Sequence, residues 1–123
     1  MLARTDLVYY CGTDMLNLPW LSLGAAGFIS VVGHVVGDRL HEMIDAFGAG
    51  DVARARRIHY ELIPVYDGLF RNQGAVMTKA ALDLLGLPGG AVRLPLLAAT
   101  DAERQQLALD LAEGGVKIPG TTS

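Results

Sequence analysis

Two short apolar runs decide the fold of this chain: LVYYC at residues 7–11 and FISVV at residues 28–32. Both runs are rich in β-branched or aromatic residues, which favour strands. A continuous apolar run of this length is typical of a strand covered on both faces, as in a parallel sheet. A helix is predicted between the runs, over residues 15–23. The two strands are therefore expected to be parallel neighbours joined by a right-handed crossover.

The first helix is expected to be capped by Thr13 or Asp14, because either side chain accepts a hydrogen bond from a free N–H of a first helical turn. Pro19 is expected in its first turn or at a bend. After the second strand, residues 33–37 are predicted to form a loop. Asp38 is then expected to cap a helix over residues 39–47.

Only helices are predicted after residue 50. Asp51 caps a long helix that reaches about residue 70 and is kinked at Pro64, because a proline inside a helix removes a hydrogen bond. The rest is predicted as a helix at 75–85, an extended linker at 89–99 and a helix from the capping box Thr100 to Glu103 as far as about residue 113. We therefore divide the chain into residues 1–50 with two βα units, residues 51–116 with three helices, and a frayed tail at 117–123.

Composition excludes several classes of protein. The 123 residues are enough for one domain, and 51% of them are hydrophobic. The net charge of −3 argues against a nucleic-acid partner, and no polybasic or long apolar segment predicts membrane binding. Residues 1–6 do not have the pattern of a secretory signal, and the single Cys11 suits a reducing cytoplasm. No zinc-ligand spacing, P-loop or GxGxxG is present, so neither a metal nor a cofactor is expected.

Two parallel strands do not complete a sheet, because unpaired edges would remain on both sides. Further strands are expected beside them. The eight-stranded βα barrel supplies such strands and needs about 250 residues. We therefore expect a C-terminal segment of a larger chain. A small, complete α+β domain is the alternative.

An ordered set of motifs resembles the dihydrodipicolinate synthases, and most closely their actinobacterial members. Cys11-Gly12-Thr13-Asp14 stands where the family has Ser-Gly-Asp-Asp, so Thr13 departs from the pattern. The resemblance spans residues 6–116. Its other elements are Leu18-Pro19, Gly27-Phe28-Ile29-Ser30-Val31, Gly50-Asp51, Leu62-Ile63-Pro64, Lys79-Ala80-Ala81, Leu84-Leu85-Gly86 and Arg93-Leu94-Pro95.

The resemblance implies an α/β fold made of the last two βα units of a TIM (β/α)8 barrel and a C-terminal three-helix appendix. It also implies a lyase of lysine and diaminopimelate biosynthesis that condenses pyruvate with aspartate semialdehyde through a lysine Schiff base. The family's Schiff-base lysine and its proton-relaying tyrosine would both precede residue 1. A homo-oligomer, dimeric or tetrameric, is implied. Leu16, Trp20 and Leu23 are then either core or subunit interface.

Three substrate-binding residues follow from the same resemblance: Gly12, Asp14 and Ile29. The backbone carbonyl of Ile29 is expected to face pyruvate, and Gly12 to leave room beside the substrate. A plain turn is the alternative for Gly12, and a core side chain for Ile29. Asp14 is expected either to cap the helix or to contact the second substrate.

Acceptor size is the next inference from the resemblance. In the related sialic-acid lyases, the positions that align with Met15 and Val31 are polar and bind sugar hydroxyls. Apolar side chains cannot do so, which favours a short aldehyde acceptor. A sibling pyruvate aldolase with another acceptor remains an alternative, as does a packing or oligomerisation fragment without activity.

The other candidate residues have simpler interpretations. We expect Lys79 and Lys117 to be solvated or locally paired, so the isolated chain is predicted to be inactive. His34 is expected in a loop hydrogen bond or, alternatively, in catalysis. The remaining expectations are a surface or packing role for His41 and His59, an inert buried thiol for Cys11, and a solvated face of Arg54, Arg56 and Arg57 balanced by Asp51 and Glu61.

Overall fold

The computed structural model describes residues 5–120. Residues 1–4, which belong to the segment searched for a signal, and residues 121–123 of the predicted tail lie outside it. Two strands and six helices follow one another along the described chain. They are β1 (Tyr10–Cys11), α1 (Asn17–Ser22), β2 (Gly27–Phe28), α2 (Gly33–Gly48), α3 (Val52–Glu61), α4 (Ile63–Phe70), α5 (Gly74–Leu84) and α6 (Asp101–Glu113).

The strands β1 and β2 are parallel and hydrogen-bonded neighbours, as predicted. Tyr10 pairs with Gly27 and Cys11 with Phe28. Each strand is shorter than predicted, and β1 is not covered on both faces, since the side chain of Tyr10 is 54% exposed. The reason is that each strand has only the other as a neighbour in residues 5–120.

The segment between the strands is not the single helix predicted over residues 15–23. A 3₁₀ turn at Asp14–Leu16 precedes α1. Pro19 is the third residue of α1, where it lacks only an N–H that a first turn leaves free. No side chain caps either the turn or α1, so the predicted cap at Thr13 is wrong.

Helix α2 corrects another prediction, because it begins at Gly33 and includes residues predicted to be a loop. Its backbone leaves helical geometry at Val36, with φ −127° and ψ 32°. The apolar stripe of Leu40, Met43 and Ala46 is buried after this kink. Asp38 is exposed inside the helix and does not cap its start.

The predicted helix from Asp51 to residue 70 is two helices, α3 and α4. The cap is confirmed, since Asp51 accepts a hydrogen bond of 2.9 Å from the N–H of Arg54. The break falls at Leu62, two residues before Pro64, which lies in the first turn of α4. Proline has no N–H to continue the ladder, so the helix restarts here. Four helices rather than three therefore follow residue 50.

The last predictions of the helical part hold. Helix α5 lies within one residue of its predicted bounds, and residues 89–99 contain no helix or strand. Helix α6 opens with the predicted capping box: Thr100 Oγ1 accepts from the N–H of Glu103 at 3.3 Å, and Glu103 accepts from the N–H of Thr100 at 2.7 Å.

A single hydrophobic core joins the segment 1–50 to the segment 51–116. Helix α2 packs on α3 and α5, and α4 packs on α5 and α6. Burial of the apolar side chains between these helices stabilises the fold by about 25 cal/mol for each Å² of apolar surface removed from water. Its largest fully buried apolar side chains are Met43, Ile58, Leu62, Tyr66, Leu69, Met77, Leu107 and Leu111.

The charged face of α3 pairs differently from the prediction. Arg54 bonds Glu42 of α2 at 2.8 Å, and Glu61 bonds Arg39 rather than one of the α3 arginines. The hydrogen bond from Arg54, with the charge of Arg39, holds the pKa of Glu42 below its usual value. These side chains are open to solvent, so the pairs contribute little to stability.

His59 lies on α3 and is only 8% exposed, with its ring 5.6 Å from that of Tyr66. It is a packing residue, one of the two roles predicted for it. Burial lowers the pKa of its imidazole, because a charged ring is poorly solvated there.

We predict that replacing Gly68 with alanine destabilises the chain. A Cβ at Gly68 would lie 2.8 Å from Asp110 Cβ and 3.2 Å from Leu107 Cδ1, where α4 meets α6. Overpacking of this kind costs about 1–3 kcal/mol. The measurement is the midpoint of urea unfolding. Gly48→Ala is the control, because a Cβ there meets nothing within 4 Å. Equal midpoints for the two variants would contradict the close contact between α4 and α6 at Gly68.

We also predict that the free energy of unfolding depends on pH because of His59. Its folded pKa is lowered, so the unfolded state binds the proton more readily. The contribution of His59 to the free energy of unfolding is therefore complete above the ordinary histidine pKa of about 6.5. It decreases as the pH falls through that value. His59→Phe should flatten the unfolding free energy between about pH 7 and 5.5. The exposed His41→Phe is the control and should leave the slope unchanged. A slope that survives His59→Phe would exclude this cause.

Candidate functional site

The candidate site lies where the two strands end. Gly12 follows the last residue of β1, and Ile29 follows the last residue of β2. The N–H of Ile29 donates to the carbonyl of Cys11 at 2.8 Å. The strands are parallel, so both of their carboxyl ends lie at one edge of the sheet, where βα barrels place their active sites.

Asp14 connects these two ends. Its side chain is only 2% exposed, although it carries a carboxylate. One carboxylate oxygen accepts from the N–H of Val31 at 3.0 Å and from that of Val32 at 3.3 Å. The other accepts from the hydroxyl of Ser30 and from Nδ2 of Asn17 at 3.2 Å. The prediction that Asp14 caps the helix after β1 is therefore wrong.

Asp14 instead stabilises the loop that enters α2. Ser30 continues the connection, since its hydroxyl oxygen accepts from the N–H of Gly33 at 2.9 Å. The N-terminus of a helix carries partial positive charge, so a carboxylate is favourable beside it. These contacts also explain how a buried carboxylate is tolerated, because hydrogen bonds to a charged group are about twice as strong as neutral ones.

Gly12 and Ile29 are open to solvent in the described structure. A Cβ at Gly12 would meet nothing within 4 Å. The side chain of Ile29 is 71% exposed, so it is not a core residue among residues 5–120. Its backbone is nevertheless fixed on the strand side by the bond to Cys11 and on the loop side by the residues bound to Asp14.

Further buried polar groups lie behind the loop. Tyr66 of α4 is 1% exposed, and burial, with the nearby charge of Asp14, raises the pKa of its phenol. The phenol therefore stays protonated near neutral pH. Its oxygen and Oδ1 of Asn17 have no hydrogen-bond partner among the described protein atoms. Buried polar atoms of this kind are commonly satisfied by an internal water.

The sequence analysis missed Asn17 and Ser30 as partners of Asp14. Two signals pointed to them. Asn17 stands three residues after Asp14, which brings side chains together in a helical turn. Ser30 is the one polar residue within the apolar run FISVV. A polar residue in a buried strand end needs a partner, and a buried carboxylate is one.

Neither lysine belongs to the segments that form this edge, since Lys79 lies on α5 and Lys117 follows α6. Nζ of Lys79 donates to the carbonyls of Gly89 and Ala91 at 3.1 and 2.9 Å, so it is locally bonded, as predicted. Lys117 is exposed beyond α6. The Lys79 amine is thus engaged by the backbone of residues 89–91, whereas a Schiff-base lysine needs an amine that is free to add to a ketone.

The remaining candidates make no second site. His34 is exposed and lies in the first turn of α2 rather than in a loop, and His41 is exposed. Cys11 is 1% exposed, and its thiol lies 3.2 Å from the carbonyl of Thr13. Within residues 5–120, no three His, Cys, Asp or Glu side chains are grouped to hold a metal ion. The same residues contain no helix of the length and apolarity that a bilayer crossing requires.

Known proteins similar to this chain are synthases of one family. The model of the dihydrodipicolinate synthetase family matches residues 1–113. The 4-hydroxy-tetrahydrodipicolinate synthase 2 of Streptomyces coelicolor is 54% identical over 117 residues, which are 95% of this chain and 39% of that protein. The 4-hydroxy-tetrahydrodipicolinate synthase of Corynebacterium jeikeium is 50% identical over 116 residues, 94% of this chain and 39% of that one.

A solved structure of a dihydrodipicolinate synthase is also similar to this chain. The lysine-bound enzyme of Cyanidioschyzon merolae superposes with a TM-score of 0.85 at 40% identity, over 89% of this chain and 37% of that one. The chain thus spans about two fifths of the length of the proteins that it matches. Its α/β fold is that of the corresponding part of these enzymes, and the chain belongs to the dihydrodipicolinate synthetase family.

Proposed function

We propose that this chain supplies the last two βα units and the C-terminal helices of a 4-hydroxy-tetrahydrodipicolinate synthase of the cytoplasm. In this proposal residues 1–50 belong to the barrel, residues 51–116 form the helical part and residues 117–123 are a tail. The observation that carries the proposal is the edge where β1 and β2 end, since a family match spans the same residues. The substrates are then pyruvate and aspartate semialdehyde.

The reaction requires a lysine that this chain does not place at the edge. The amine of that lysine adds to the ketone of pyruvate and releases water, giving an imine. Loss of a methyl proton gives an enamine, whose carbon attacks the aldehyde of the second substrate. We assign the lysine to the part of the barrel that precedes these residues.

The chain's own contribution is one wall of the pyruvate pocket, built from Gly12, Asp14 and Ile29. Gly12 leaves open space at the end of β1. Ile29 offers a backbone carbonyl at the end of β2, and a fixed carbonyl dipole orients a bound keto acid or its imine. Asp14 joins the two strand ends.

Assembly into a homodimer or homotetramer is part of the proposal. Leu16 and Leu23 flank α1 and are 44% and 62% exposed. Exposed apolar side chains on one element are typical of an interface between subunits. A monomeric variant is nevertheless described for one structurally similar synthase, so assembly is a property to be measured.

We predict that the isolated chain binds no pyruvate covalently. Incubation with pyruvate and borohydride, which reduces a Schiff base to a stable amine, should leave its mass unchanged. The reason is that Nζ of Lys79 is held by two backbone carbonyls and Lys117 is an exposed side chain after α6, whereas a Schiff-base lysine is partly desolvated. A stoichiometric adduct that disappears in Lys79→Gln would overturn the assignment of the lysine.

We predict that a chimera restores turnover. In it, this chain replaces the matched segment of the Streptomyces coelicolor enzyme, which is 54% identical. Condensation of pyruvate with aspartate semialdehyde should return, with one borohydride-trapped pyruvate per chain. Lys79→Arg is the control and should retain activity. A folded chimera that forms the adduct but uses another aldehyde would indicate a sibling aldolase. A folded chimera that forms no adduct would indicate that this chain is a packing or oligomerisation fragment without activity.

A further inference from the structure

We propose that Asp14 is a positioning residue: its carboxylate holds the Ile29–Ser30 peptide in place for the keto acid and contacts neither substrate. This inference rests on the proposed function, because it assigns Asp14 its task in the same pocket wall. It separates two roles that a carboxylate at a strand end can have, direct recognition of a substrate and support of the backbone that recognises it.

All of the acceptor capacity of Asp14 is already used. A carboxylate has about four lone-pair sites. Four donors occupy them: the hydroxyl of Ser30 and Nδ2 of Asn17 on one oxygen, and the N–H groups of Val31 and Val32 on the other. The side chain is also only 2% exposed. A substrate would have to displace one of these donors to reach the carboxylate.

The same bonds fix the peptide whose carbonyl belongs to Ile29. On the strand side, the N–H of Ile29 is held by the carbonyl of Cys11 at 2.8 Å. On the loop side, Ser30 is held through its hydroxyl and Val31 through its N–H, both by Asp14. The carbonyl between these two anchors cannot turn without breaking one of them. The carboxylate therefore sets the direction of that carbonyl.

Charge as well as shape is required at this position. The carboxylate faces only donors, and two of them are backbone N–H groups of the loop just before α2. An asparagine of the same size would turn an NH₂ group toward at least one donor, so it cannot satisfy all four. The loop would then relax, and misplacement by about 1 Å can reduce an enzyme's rate by about a hundredfold.

The test compares Asp14→Asn, Ser30→Ala and their combination in the active chimera. We expect Asp14→Asn to raise the KM for pyruvate about tenfold and the concentration of pyruvate that half-saturates borohydride trapping by the same factor. The KM for aspartate semialdehyde should change much less. Ser30→Ala should act in the same direction and more weakly, because it removes one of the four donors. The combined effect should be less than the product of the two, since both act through one carboxylate.

Asp45→Asn, on the exposed face of α2, is the matched control and should leave both KM values unchanged. A rise confined to the KM for aspartate semialdehyde would overturn the proposal in favour of direct contact. Folded Asp14→Asn with an unchanged pyruvate KM, or with a lower melting temperature alone, would also overturn it. If Asp14→Asn does not fold, an unchanged pyruvate KM in Ser30→Ala overturns it. Lack of turnover in the parent chimera would contradict the proposed function instead.

Discussion

The constraint on which this structure depends is the burial of one carboxylate between two strand ends. Asp14 is withdrawn from water, and a buried charge is costly unless it is paired and fully hydrogen-bonded. Its partners come from the first residue of α1 and from the loop before α2, two segments with β2 between them. Satisfying the carboxylate therefore fixes the distance between the strand ends. A two-residue ladder alone would leave that distance poorly defined.

The neighbouring groups are consistent with this constraint. Tyr66 approaches from α4 with a phenol that stays neutral, so it adds no second negative charge beside Asp14. His59 packs against the Tyr66 ring and is kept neutral by burial. One negative charge, met by donors, is thus surrounded by neutral groups. The donors of Asp14 are held in place, because a donor that moves away leaves a buried carboxylate oxygen with one bond fewer.

The sequence predicted most of the architecture because most of it is set by local chemistry. Asp51 and Thr100 accept from N–H groups three residues ahead, which is a pattern within one turn of chain. Asp14 was misassigned for the opposite reason. Its side chain accepts hydrogen bonds from donors sixteen to eighteen residues away and from no backbone N–H group of its own turn. Local capping rules cannot anticipate that choice, because tertiary contacts decide it.

The two parts of the chain differ in what they require from outside the described residues. The helices α2 to α6 share a core whose members are almost completely buried, so their packing is satisfied within the chain. The two-stranded ladder is not: the side chains of Leu7 and Val8, before β1, and of Ile29, after β2, remain about 70% exposed. Exposed apolar side chains at a ladder with two unpaired outer edges form a surface that further strands can cover. In the proposed synthase, the helical part therefore supports this edge, and the remaining strands of the barrel complete it.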